Sequence, residues 1–184
     1  MTQAQVVHNL DGSTTEYTTI PLTSGRLERL LRELFEEHWR EIVFGPCIQG
    51  AVFEIRLTEP PKNVAMYDGY LTVDTGAWHL HLCIDEHKDA PSPEIIRQRQ
   101  TSRAAFFQDS RPDGCVRGTW GLLLWNGLGE QMLTVFFPNP YYDSNMRRQR
   151  PDWEQLALWN ELRAHYFDLP PQAPGPETTL DPHG

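Results

Sequence analysis

Cysteine is scarce in this chain: three among 184 residues, widely spaced and odd in number. Such a set cannot staple a small secreted domain, so a disulfide framework is excluded. Positive charge is short as well. Against 25 Asp and Glu stand 16 Lys and Arg, a formal net charge of -9. That balance argues against general affinity for nucleic acid or for anionic lipid surfaces. No apolar run approaches the ~20 residues needed to span a bilayer. The start, MTQAQVVHNLDGS, has neither the basic opening nor the apolar stretch of a secretory signal. Glycine-rich phosphate loops are also missing: GLGE at 127–130 sits between two strand-like runs and does not open a helix. The expectation is a soluble, cytoplasmic protein with no nucleic-acid or membrane partner.

What is present suits one domain with a sizeable core. Residues 1–22 are polar and Thr-rich, an N-terminal arm or an edge strand. Residues 23–168 carry the domain. Its first helix is expected from Ser24, a capping residue, through the stripe Leu27, Leu30, Leu31, Leu34, Phe35, Trp39 and Ile42, with Gly45-Pro46 as its stop. AVFEIRLT (51–58) alternates as a half-buried strand does. MYDGYLTVDT (66–75) and AWHLHLCI (77–84) read as two more strands, joined near Thr75-Gly76. A second helix, capped by Ser92 with Pro93 in its first turn, is expected to run to about Phe107. RPDGCVRG (111–118) is turn-rich, and 120–140 is a hairpin about Asn126-Gly127 and Gly129. A third helix covers about 152–166, and a Pro-rich tail expected to be disordered occupies 169–184. The order predicts an α+β single domain with a largely antiparallel sheet and about three helices.

The stretch GAWHLHLCIDEH (76–87) carries the chemistry. Side chains alternate faces along a strand, so His79, His81 and Cys83 share one face and Trp78, Leu80, Leu82 and Ile84 the other. Imidazoles and a thiolate are preferred donors for zinc, copper and iron. His87, just beyond the strand, can fold back as a fourth donor, and Glu86 can orient a ligating imidazole. A solvent-facing strand with ordinary histidines is the plain alternative.

Three further stretches, DGYLTVDTG, AWHLHLCI and LLLWNGLGEQMLTVFFPNP, resemble the haem-utilisation proteins of the HemS/ChuX type over about 75 residues. The usual Gly-Arg-Asp after the last strand is replaced by Pro138-Asn139-Pro140, so the chain reads as a distant relative, an uncharacterised branch. The resemblance implies a sheet-rich domain, often a homodimer, with a haem cleft. Haem needs an axial donor, apolar walls and cations for its propionates. His79, His81, Cys83 and Tyr70 are the candidate donors, and Trp78, Trp120, Trp125, Phe136 and Phe137 candidate walls. Arg99 and Arg103, one turn apart on the expected second helix, are the candidate propionate partners.

Three functions follow as expectations. The first is binding or trafficking of haem or another metallo-tetrapyrrole on the His/Cys strand. The second is a mononuclear zinc or iron enzyme using His79, His81, Cys83 and His87. The third is a ligand-free interaction module, whose six Trp and eight Phe leave apolar surface for a partner or a second copy.

Overall fold

The computed structural model describes residues 3–23, 25–48, 50–111 and 118–172. The Thr-rich N-terminal segment forms a hairpin, β1 (Gln3–His8) against β2 (Thr14–Ile20), as its β-branched residues favour. At its tip the Asp11 carboxylate accepts from the Ser13 N–H (3.0 Å) and Oγ–H (2.7 Å).

Helix α1 (Arg26–Glu36) follows and buries Leu27, Leu30, Leu31, Leu34 and Phe35 along one stripe. It is shorter than the stripe predicts. The N–H groups of Glu37 and His38 both close on the Glu33 carbonyl and end the helix. Trp39 and Ile42 are still buried, but from a turn, because Val43 and Phe44 are drawn into β3 (Val43–Gly45). Ser24 lies outside the described residues; the N-cap position is Gly25, with no side-chain cap.

The strand expected over 51–58 is a correction. Only β4 (Cys47–Ile48) and β5 (Ala51–Val52) form, as a short hairpin, with Val52 and Phe53 exposed. Beyond them Phe53 N–H bonds the Pro46 carbonyl, and Ile55 exchanges hydrogen bonds with Phe44 as an isolated bridge. Alternation without a neighbouring strand to pair with does not make a strand.

The strand expected over 66–75 splits in two, β6 (Asn63–Tyr67) and β7 (Tyr70–Asp74). Asp68 and Gly69 turn the chain between them with φ of 44° and 79°, the torsions an Asp-Gly hairpin turn requires. The second turn, at Thr75-Gly76, leads into β8 (His79–Cys83) as expected, completing a three-stranded antiparallel sheet.

Helix α2 (Pro93–Arg99) starts where the sequence says, with Ser92 Oγ accepting from the Ile95 N–H at 3.3 Å. It ends at Arg99. Residues expected to continue it form β9 (Thr101–Ser110), the centre of the main sheet. Ala104 and Phe106 are buried on one side and Ala105 and Phe107 on the other, so the apolar run lacks the alternation that marks a one-sided strand. Arg99 and Arg103 therefore share no helical face.

The strands β10 (Gly118–Asn126) and β11 (Gln131–Phe136) form the expected hairpin. Asn126 Oδ1 locks its turn by accepting from the Leu128 and Glu130 N–H groups, each at 2.9 Å. A 3-10 turn (Trp153–Leu156) then enters α3 (Ala157–Phe167), close to the predicted span. Residues 112–117, including Cys115, and 173–184, most of the predicted tail, lie outside the described residues.

The result is the expected α+β architecture: a six-stranded antiparallel sheet in the order β1-β2-β9-β10-β11-β3, with three helices. One apolar core joins α1, α3 and one sheet face through Leu30, Phe35, Phe106, Leu122, Leu133 and Leu162. A smaller cluster of Ala105, Phe107, Leu123 and Trp125, with Tyr17 and Phe136, covers the other face. No helix among the described residues is long and apolar enough to cross a membrane.

Candidate functional site

Strand β8 pairs with β7 in the register Tyr70–Cys83, Thr72–His81 and Asp74–His79. Alternation works as the sequence requires. Leu82 is buried, and Trp78, Leu80 and Ile84 pack against the core. His79 and His81 stand on the opposite, exposed side, their rings 4.6 Å apart and edge-on. His81 Nδ1 lies 2.8 Å from Thr72 Oγ1, which fixes that ring against β7.

Cys83 has the same parity but a different environment, at 3 % exposure. Burial pushes its thiol up from the ordinary range, outweighing the pull of Tyr70 and Arg99 beside it. The Tyr70 hydroxyl is likewise raised by burial, with the neighbouring Cys83 adding to it. His87 folds back as predicted, yet it meets Asp68: its Nε2 is 3.1 Å from Asp68 Oδ2. Its ring also packs edge-on against Tyr70 at 5.1 Å. Asp68 further accepts from the N–H groups of Lys88 (2.8 Å) and Asp89 (3.4 Å). This carboxylate ties the loop after β8 to the β6–β7 turn.

The predicted donors thus fall into separate places. His79 and His81 form an exposed pair, while Tyr70, Cys83, His87 and Arg99 gather in a half-buried polar knot around Asp68. Arg103 is elsewhere, its guanidinium 3.6 Å from the Trp125 ring on the other face of the main sheet. Among the described residues, no group of three or more His, Cys, Asp or Glu side chains is placed to hold a metal ion.

His79 has a second neighbourhood that the sequence does not announce. It borders a cleft of about 700 Å³ whose walls include Phe44, Phe53, Ile55, Trp78, Leu80 and Leu133. Arg56 and Glu54 stand at the same cleft. The lining is mostly apolar with a few polar groups, and the volume falls in the ~300–1,000 Å³ range of small-molecule sites. Phe53 and Ile55, apolar positions of the half-buried strand expected over 51–58, form a wall here because the chain after β5 leaves the sheet. Gly45 makes this possible. A Cβ there would stand 1.7 Å from the Phe53 carbonyl oxygen, so only glycine permits the approach. Another cavity, about 750 Å³, lies on the outer face of the main sheet beside Tyr17, Cys47, Phe107 and Phe136. It has no imidazole.

Among solved structures the chain is similar to one described as "Crystal structure of ChuX", with TM-score 0.52 and 15% identity. It is also similar to one described as "Structure of the Heme Binding Protein ChuX", with TM-score 0.51 and 18% identity. Each similarity covers 85% of this chain and 78% of the other. The fold is shared with proteins of the type that the sequence motifs resemble. No curated protein matches the sequence. Residues 4–168 match the model of a family of unknown function, DUF7676, and the chain belongs to that family.

Proposed function

We propose that this protein binds haem, or a related metallo-tetrapyrrole, in the cleft beside β8 and serves to carry or hand on that cofactor. The observation that carries the reading is a largely apolar cleft of about 700 Å³ bordered by His79 on the strand that also supplies its walls Trp78 and Leu80. A haem site needs an axial donor, flat apolar walls and a cation for the propionates. His79 would supply the donor, and His81, its ring 4.6 Å away on the same strand face, would be the alternative donor. Phe44, Trp78 and Leu80 would supply walls, and Arg56 a charge for a propionate. The bound group would bring an iron able to take one or two axial ligands; the chain's own part is to orient it and keep water from its face. The similarity to a protein described as haem-binding supports the same ligand class.

Within the knot, Cys83 is the weaker donor, since a buried thiol held in its neutral form is a poor ligand. The free thiols Cys47 and Cys83 suit a reducing cytoplasm. Hemin titration of the purified chain tests the proposal. A Soret shift should saturate near one equivalent, and His79→Ala should weaken binding at least tenfold, with a smaller loss for His81→Ala. Spectra and affinity unchanged in both variants would remove the proposal.

A further inference from the structure

On α3, one buried cation has no carboxylate within 4.0 Å among the described residues. Arg163, in the penultimate turn of α3, is 7% exposed. Its guanidinium lies 4.0 Å from the Trp159 ring, and Nη1 donates to the Pro170 carbonyl oxygen at 3.2 Å. Among the described residues that carbonyl is its one hydrogen-bond partner, and neither the buried Nε nor the buried Trp159 Nε1 has an acceptor. Glu16 is the carboxylate whose field reaches Arg163, but it makes no hydrogen bond to it. Burying an unpaired charge is costly, and a cation–π contact offsets only part of that cost. Such a group is expected to have an acceptor.

The space for one is present. Arg163 borders a half-open cavity of about 260 Å³ between α3, β2, β9 and the segment 170–172. At roughly 30 Å³ per water, that volume takes eight or nine waters, or one small organic molecule. Thr18, Gln108 and Gln172 add polar groups to its wall, while Phe106, Pro170 and Pro171 add apolar ones. The segment is held in place by Gln172 N–H donating to Asn160 Oδ1 at 2.9 Å. With Nη1 taken by Pro170 and Nε buried, Nη2 is the donor left for a ligand in the cavity, and its charged N–H groups suit a carboxylate oxygen. Glu16 in the same wall disfavours a second or third negative charge.

We propose that this cavity is a binding site for a small monocarboxylate, held by Nη2 of Arg163 beside Trp159. The site is separate from the tetrapyrrole cleft and stands whether or not that reading does.

The test uses the full chain and two readouts, calorimetric titration and thermal unfolding, with sodium acetate and sodium lactate as probes. Sodium chloride at the same ionic strength is the control, and phosphate and succinate test charge selection. Saturable heat and a saturable rise in Tm with acetate or lactate, absent with chloride, are expected. Affinity should fall at least tenfold in Arg163→Met and substantially in Arg163→Lys, which keeps the charge but cannot hold the Pro170 carbonyl and present a second nitrogen at once. Should Arg163→Met fail to fold, Glu16→Gln decides, since Glu16 is exposed on β2. That change should tighten acetate and admit succinate or phosphate. No saturable response beyond chloride, binding that survives Arg163→Met, or an affinity indifferent to Glu16→Gln would each overturn the assignment. Loss of hemin binding with acetate binding intact would strike only the tetrapyrrole proposal.

Discussion

Gly45→Ala is the perturbation that ties the cleft to the fold. The added Cβ would sit 1.7 Å from the Phe53 carbonyl oxygen and 2.8 Å from its carbon. Both are backbone atoms, so no side-chain rotation relieves the overlap. Restoring ordinary contact, at 3.4 Å or more, means that the Phe53 segment retreats by at least 1.7 Å. That retreat breaks the Phe44–Ile55 exchange (2.7 and 3.1 Å) and the bond from Phe53 N–H to the Pro46 carbonyl (3.1 Å). At a net ~1 kcal/mol for each hydrogen bond, the loss is about 2–3 kcal/mol of folding stability. Phe53 is also a wall of the cleft, so hemin affinity should fall by about tenfold, equivalent to ~1.4 kcal/mol. Urea unfolding and hemin titration of the same preparation measure the two effects. Gly12→Ala is the control: its φ is +82° and nothing lies within 4 Å of the added carbon. It should cost only the ~1–2 kcal/mol of a left-handed alanine and leave hemin binding unchanged. A Gly45→Ala protein with the parent's urea midpoint would refute the packing argument. One that is destabilised yet binds hemin normally would refute the placement of the ligand.

Two further outcomes follow from the polar contacts. Asp68→Ala removes the acceptor of the Lys88 and Asp89 N–H groups and the partner of His87, at a residue with φ of 44°. It should cost about 2–3 kcal/mol in urea unfolding, and Asp68→Asn much less because asparagine tolerates that torsion; equal midpoints for the two variants would contradict this. Tyr166 is raised well above its ordinary pKa of 10.0, first by burial and then by its hydrogen bond to Glu33. Because the folded value lies above the unfolded one, its contribution is intact below about pH 10 and is lost as pH rises further. The urea midpoint should therefore decline from pH 10 to 11, and less steeply in Tyr166→Phe; parallel declines would refute the assignment.

Which features were legible in the sequence follows from how local their causes are. The β10–β11 hairpin is set by Asn126, whose own side chain makes the turn, and the stripe of α1 is written at helical spacing. The two-residue alternation of His79, Leu80, His81 and Leu82 is local too, and it holds. Strand β9 was hidden because it is covered on both faces, by the main core and by the smaller cluster. An apolar run in that position has no alternation to display, and the Pro93 start made a long helix the simpler reading. With that helix went the pairing of Arg99 and Arg103.

The sites themselves depend on contacts distant in sequence. Cys83 differs from His81, two residues before it, only in what covers it: the knot of Tyr70, Asp68 and His87 lies over one end of β8 and not the other. The cleft depends on Gly45 admitting the Phe53 carbonyl, an approach that no periodicity encodes. Arg163 is the sharpest instance. It follows Leu162 in α3, where a charged residue reads as a solvated face, and its burial is decided by β2, β9 and the segment at 170–172. Same-face spacing can therefore nominate donors. What separates them is the burial each receives from distant segments: on one face of β8 His79 and His81 stay exposed, while Cys83 is covered.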